Sequence, residues 1–186
     1  MKMKNLLNWL FIVLSVWLTT GCCDEDEYWR ISEEDKLIYE LYDTLVYKSN
    51  TGVLDTFYVS DISQWFDEHP NYDMCGTAVY IEKMIYRFLP YPNSQEKLFN
   101  IKYFHPPNIH FGVFWYSYHF DIEPKITPLV DKLSINDSVY YNLYEVQSNE
   151  DTAKVQELLF HKRYGIVRYE FRNKESWSLY KTLKNQ

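Results

Sequence analysis

The chain has 186 residues, 46% of them hydrophobic and 19% aromatic, with a formal net charge of −7. That is enough apolar material for one folded domain, and it excludes global disorder. Lys and Arg nowhere cluster into a basic patch, so an electrostatic footprint for nucleic acid is missing.

The N-terminus is basic at Lys2 and Lys4, apolar for 13 residues from Leu6 to Leu18, and then reads Thr19, Thr20, Gly21, Cys22, Cys23. A membrane-spanning helix needs about 20 apolar residues, so this run reads as a secretory signal that is removed. Over residues 1–23 the segment resembles the bacterial lipoprotein signal family, with Gly21 as the small residue before Cys22 and Thr19 where that family usually has Leu. The resemblance implies cleavage after Gly21, diacylglycerol on the Cys22 thiol and a further acyl chain on its amine. Each buried methylene adds about 0.8 kcal/mol, so three chains make the attachment to the membrane lasting. Asp24, Glu25, Asp26 and Glu27 follow at once, similar to the acidic signal by which some Gram-negative lipoproteins reach the outer face of the outer membrane. The resemblance therefore implies a lipid-anchored outer-membrane protein at the cell surface; the bland alternative for the acidic run is a solvated linker.

Charge separates tether from body. Loss of Lys2 and Lys4 takes the net charge from −7 to −9, and residues 24–35, with seven acids and Arg30, carry −6 of it, leaving −3 for residues 36–186. The expected organisation is a signal over 1–21, an acidic lipidated tether over 22–35 and a single domain over 36–186, with repulsion and hydration keeping the run Asp24–Glu27 extended and away from any core. Cys23 and Cys75 remain after lipidation. Two cysteines in an oxidising compartment permit a bridge without defining one.

Ser32 followed by Glu33, Glu34 and Asp35 has the form of a helix cap, which makes Ser32–Tyr42 a candidate helix. Beyond it the pattern is β. Thr44–Lys48 and Val53–Val59 flank the turn cluster Ser49-Asn50-Thr51-Gly52 and predict a hairpin. Thr77–Leu89 fits both periods and is read as a strand. In Leu98–Phe104, Phe99, Ile101 and Tyr103 alternate with Asn100 and Lys102. Further strands are expected over Val139–Val146, Val155–Lys162, Ile166–Phe171 and Trp177–Tyr180, with turns at Asn136-Asp137-Ser138 and Arg163-Tyr164-Gly165. The seven prolines fall outside these strands and mark loops at 89–96, 105–108 and 121–132.

Ile109–Phe120 reads as one strand with two apolar faces. Ile109, Phe111, Val113 and Trp115 would share one; His110, Phe114, Tyr116, Tyr118 and Phe120 would share the other. The second face, richer in hydroxyl and imidazole, is the wall of a ligand groove or a second packing layer, since both use rings with a few placed polar groups. His110, Phe114, Tyr116 and Tyr118 are its candidate binding residues.

Catalytic and cofactor motifs are absent from the sequence. There is no His-Glu-x-x-His, Gly-x-Ser-x-Gly, phosphate loop or Cys-x-x-Cys, and Ser94-Gln95-Glu96-Lys97 lacks the companion motifs of penicillin-recognising enzymes. His110 and His119, an odd number apart, would point to opposite faces of one strand and share no metal. His105, in a His-Pro-Pro loop, reads as solvated. No cofactor, metal or nucleic-acid partner is expected.

The pattern predicts a mainly β chain: a single antiparallel β domain of about eight strands with at most one or two short helices. It would be a sandwich or a strongly curved sheet forming a half-barrel. The expected function is non-catalytic binding at the cell envelope, of a carbohydrate, an apolar ligand or a partner envelope protein. The alternatives are an envelope hydrolase with a scattered acidic site and a structural surface subunit or adhesin. An exposed aromatic platform, a deep apolar cavity, a long unpaired edge or converging carboxylates would distinguish them.

Overall fold

A computed structural model describes residues 26–70, 78–91, 99–104, 110–115, 118–127, 129–148 and 154–185. Alternating apolar and polar side chains put these residues into twelve strands: β1 (Glu27–Trp29), β2 (Thr44–Ser49), β3 (Leu54–Pro70), β4 (Ala78–Tyr91), β5 (Phe99–Phe104), β6 (His110–Trp115), β7 (Tyr118–Ile122), β8 (Leu129–Ile135), β9 (Ser138–Gln147), β10 (Val155–His161), β11 (Gly165–Phe171) and β12 (Ser176–Leu183). One sheet contains them all, in the order β7-β6-β5-β4-β3-β2-β12-β11-β10-β9-β8, and β1 adds to β4 in parallel. It curls into a half-barrel. The mainly β, single-domain expectation holds, as a curved sheet with more strands than the eight foreseen.

Aromatic rings fill the concave side. Trp115, Tyr47, Tyr169, Phe57, Phe88, Phe99, Phe111 and Phe160 are each less than 2% exposed. Phe88 stacks on Phe99 at 4.5 Å, Phe99 leans on Trp115 at 4.8 Å, and Trp115 meets Tyr169 edge-on at 4.4 Å, joining β4, β5, β6 and β11 across the interior. The buried tyrosines keep their hydroxyls satisfied by donating to backbone carbonyls: Tyr47 to Ile166 at 2.7 Å, Tyr39 to Tyr164 at 2.8 Å and Tyr86 to Leu37 at 3.3 Å. Gly165 opens β11 at φ +63°, where a Cβ would come within 2.9 Å of the Ile101 side chain. The positive φ is what asks for glycine there.

Ser32–Tyr42 is not helical. Ser32 and Asp35 close a single turn, the Asp35 amide donating to the Ser32 carbonyl and the Ser32 hydroxyl to the Asp35 carboxylate at 2.6 Å. Beyond that turn Leu37 and Tyr39 are both buried at a spacing of two, which an extended chain meets and a helix does not. The residues that follow the acidic run join the sheet. Glu27–Trp29 forms β1, and Ile31 is buried in the barrel. What holds it is Glu82, 1% exposed, which accepts a bond from the Ile31 amide at 2.7 Å and from the Gln64 side chain, with Lys36 at 3.6 Å. Burial opposes the Lys36 charge, but Glu33 and Glu82 outweigh it and raise its pKa.

A second buried carboxylate fastens the other terminus. Asp43 accepts from the Glu40 amide at 2.8 Å, Lys184 Nζ at 2.7 Å and the Asn185 amide at 3.0 Å. Burial opposes its ionisation, yet these donors bring its pKa below the usual carboxylate value.

Two strand readings need correction. Ile109–Phe120 is not one strand: the chain reverses after Trp115 and returns as β7, with Trp115 opposite Tyr118 and Phe114 opposite His119. Prolines also enter strands, since Pro70 ends β3 and Pro90 lies in β4 beyond Phe88, the last residue that β5 pairs. At strand ends the missing donor is tolerated. β8 occupies part of the stretch read as a loop over 121–132.

Candidate functional site

Antiparallel partners point to the same face, so the β6–β7 reversal redistributes the predicted binding residues. Tyr118, opposite Trp115, packs against the barrel core, and Phe120 is buried in it. Phe114, opposite His119, lies on the other face. Its ring is stacked on the His119 imidazole at 4.0 Å and carries Lys102 Nζ 4.4 Å from its centroid; His119 in turn pairs with Asp121 at 3.1 Å. Phe114 and Tyr118 therefore do not share a wall. Tyr116 lies outside the described residues, as do Cys22, Cys23, Asp24, Glu25 and Cys75, and the side chain of His110 is likewise outside them. Reversal also removes the parity argument that kept His110 and His119 on opposite faces. Of the acidic run, Asp26 accepts a bond from the Ala78 amide at 3.2 Å and Glu27 pairs in register with Val79.

A different site forms on the convex face, where the β8–β9 hairpin meets it. Pairing of β10 with β9 ends at Phe160 and Tyr144, and Asn142 then takes φ +55°. Asparagine tolerates that left-handed conformation. From there β8 and the first half of β9 form a hairpin, turned at Asn136 with φ +51°. The hairpin folds back over the outside of the sheet. A small second core seats it, made of Ile135, Tyr140, Leu143 and Val167.

Between this flap and the sheet runs a groove of about 400 Å3. Its floor follows from strand register: Lys48 on β2 pairs with Ser178 on β12, and Ser178 pairs with Arg168 on β11. Strands lie about 4.8 Å apart, so the Cα atoms of the two cationic residues stand about 10 Å from one another with Ser178 between them. Ser176 and Asn50 continue the floor, and Ser134, Ile135 and Asn136 of the flap form the facing wall. Lys48 Nζ lies 5.3 Å from the ring of Tyr180, which is 42% exposed beside the groove. Arg168 is steadied by Glu170 at 3.3 Å. The same face carries Glu157, paired with Glu170, and Glu145. Burial first, then the Glu145 and Glu170 charges, raise the Glu157 pKa.

The flap has a titratable support. His161 sits against Tyr164 at 4.9 Å and Tyr140 at 6.5 Å, and its Nδ1 accepts from the Arg163 amide at 3.1 Å. Burial, together with the Lys162 and Arg163 charges, lowers its pKa from 6.5 to about 4. A histidine held neutral in the fold but protonated when unfolded contributes stability that is complete above pH 6.5 and is lost as pH falls towards about 4. Denaturant titrations at pH 7 and pH 4.5 should show this acid-sensitive component in the wild type and a smaller one in His161→Asn. An equal loss in both proteins would place the sensitivity elsewhere.

Among the described residues, no group of three or more His, Cys, Asp or Glu side chains could hold a metal ion, and no helix is long and apolar enough to cross a membrane. Comparisons with protein-family models, curated proteins and solved structures find no match to this chain.

Hydroxyls, amides and two cations are the donors that a polyhydroxylated, negatively charged ligand takes, with the Tyr180 ring available for its apolar face. No sequence motif marks these residues. Lys48, Arg168 and Ser178 sit in three separate strands, and each looks like the polar half of an ordinary alternation.

Proposed function

We propose that the chain is a lipid-anchored envelope protein that binds an acidic carbohydrate, without catalysis, in the groove between the β8–β9 flap and the convex face. The observation that carries this reading is the Lys48-Ser178-Arg168 row in a chain whose net charge is −7. Large rings occupy the concave side, which favours a surface ligand over an apolar one stored in the barrel. Attachment through Cys22 and export by the acidic run remain part of the proposal, and both rest on the resemblance of residues 1–27 to lipoprotein signals.

A glycan array tests it. Wild type should be retained on uronic-acid or sulfated glycans above neutral ones, and Lys48→Ala with Arg168→Ala should lose that retention without a large change in thermal unfolding. Hydrogen bonds to charged groups contribute about 1.5–3 kcal/mol, so each substitution should weaken binding roughly tenfold to a hundredfold. Wild type retained on no acidic glycan overturns the reading.

One observation favours a second reading, hydrolysis of the same ligand class. Glu157, with its raised pKa beside Glu145 and Glu170, has the character of a general acid. New reducing ends formed by wild type and not by Glu157→Gln would move the protein to this class.

A further inference from the structure

Two β-bulges put extra side chains on the convex face. In β11 the pairing with β10 passes from Arg168 opposite Leu159 to Ile166 opposite Phe160, so Val167 is the extra residue. Ile166 and Tyr169 point into the barrel core, which leaves Val167 in the flap's small core and Arg168 in the groove, side by side on the outside. In β12 the pairing with β2 passes from Leu179 opposite Tyr47 to Lys181 opposite Val46, so Tyr180 is the extra residue. Leu179 and Tyr47 belong to the barrel core. Tyr180 therefore faces out, and so does Lys181, because its partner Val46 alternates with Tyr47 along β2. A regular strand would send one of the two inward.

Tyr180 gathers positive charge there. Lys48 Nζ lies 5.3 Å and Lys181 Nζ 6.0 Å from the centroid of its exposed ring. Lys36, Lys83, Lys162, Lys174 and Lys184 each pair with a carboxylate. Among the described residues Lys48 and Lys181 have no such partner, although the chain holds 26 Asp and Glu against 19 Lys and Arg. Two like charges beside one ring repel each other, and an anion between them relieves the repulsion. Tyr180 and Lys181 are not part of the groove lining. Lys181 follows Ser178 by three residues along β12, roughly 7–10 Å at about 3.3 Å per residue with the bulge shortening the path.

We infer that the ligand is a chain of acidic sugar units bound at two adjoining positions, one under the flap between Arg168 and Lys48, the next in the open on Tyr180, with its acid group between Lys48 and Lys181. The inference rests on the groove being the glycan site proposed above. Lys48 belongs to both positions: it lines the groove, and its ammonium group stands over the Tyr180 ring. A single sugar ring does not span from Arg168 to Lys181. A chain does, because binding of its first unit holds the next at high local concentration beside the second position. That second position lacks the cover of the flap, so its contribution comes from charge and ring contact and shrinks as salt is raised.

Calorimetric titration of the full chain in detergent tests this, with dimers and hexamers of galacturonic acid as carboxylated probes and heparin-derived dimers and hexamers as sulfated ones. In the series that the groove accepts, the hexamer should bind about tenfold or more tightly than the dimer, the gain from one further charge-assisted contact. Lys181→Ala and Tyr180→Ala change exposed side chains; each should remove most of that advantage and leave the affinity for the dimer unchanged. Arg168→Ala should weaken dimer and hexamer alike. Equal affinity for dimer and hexamer, or an advantage that survives in both Lys181→Ala and Tyr180→Ala, overturns the second position and leaves the groove standing. A wild-type protein that binds no oligomer of either series overturns the groove reading and this extension with it.

Discussion

Trp115→Ala is expected to lose about 3–5 kcal/mol of unfolding free energy, the range for removing a large aromatic from a core. Its ring is 1% exposed and touches Phe57 at 6.0 Å, Phe99 at 4.8 Å and Tyr169 at 4.4 Å. Those partners belong to β3, β5 and β11, so one side chain spans the concave space from wall to wall. The cavity left behind cannot collapse easily, because each neighbour is fixed by its own strand and by further rings: Phe57 by Tyr47, Phe99 by Phe88, Tyr169 by Trp177. Domains of this size are stable by about 5–15 kcal/mol, so the variant should be marginal at 25 °C. Urea unfolding measures it, and Trp115→Phe, which keeps most of the ring contacts, should retain more than half of the lost stability. A cost under 1 kcal/mol for the alanine variant would mean that the interior is not packed around this ring.

Glu82→Ala should be comparably destabilising, by a different mechanism and with a local signature. Removing one partner from a buried charged network typically costs about 3–5 kcal/mol, because the groups left behind stay desolvated without acceptors. Here those groups are the Ile31 amide, the Gln64 side chain and Lys36. Two of the three belong to the segment that enters along β1, so hydrogen exchange should rise first at Ile31 and over β1, before the barrel strands. Glu82→Gln keeps an acceptor for Ile31 and should lose less. Uniform exchange across the whole sheet in Glu82→Ala would show that the carboxylate supports the barrel generally and does not latch the entering chain.

Much of the sheet can be read locally. The β2–β3 hairpin, β5, β10, β11 and β12 show apolar side chains at a spacing of two between turn residues, and a half-buried strand needs little more to be recognised. β1 and β8 escape such reading. Glu27-Tyr28-Trp29 is too short to show a period, and Leu129–Ile135 is largely exposed, with Lys132 and Asp131 inside it. Ile109–Phe120 misleads for the opposite reason: its alternation continues through a reversal, and apolar residues on both sides of the turn hide it.

The composition and local pattern of this chain suffice for its β class, its acidic balance and those turns marked by Gly, Asn or Ser clusters, because each depends on neighbours a few residues apart. The likeness of its first 23 residues to a lipoprotein signal is legible in the same way. Tertiary structure alone decided the rest. Lys48 and Arg168 are 120 residues apart in the sequence and are brought to the two sides of Ser178 on β12, and the groove above them is closed by Ser134, Ile135 and Asn136 of the β8–β9 hairpin. Phe114 and Tyr118 part company for the same kind of reason. Which face a side chain occupies depends on where the strand reverses, and which residues share a surface depends on strand order, neither of which a period of two encodes.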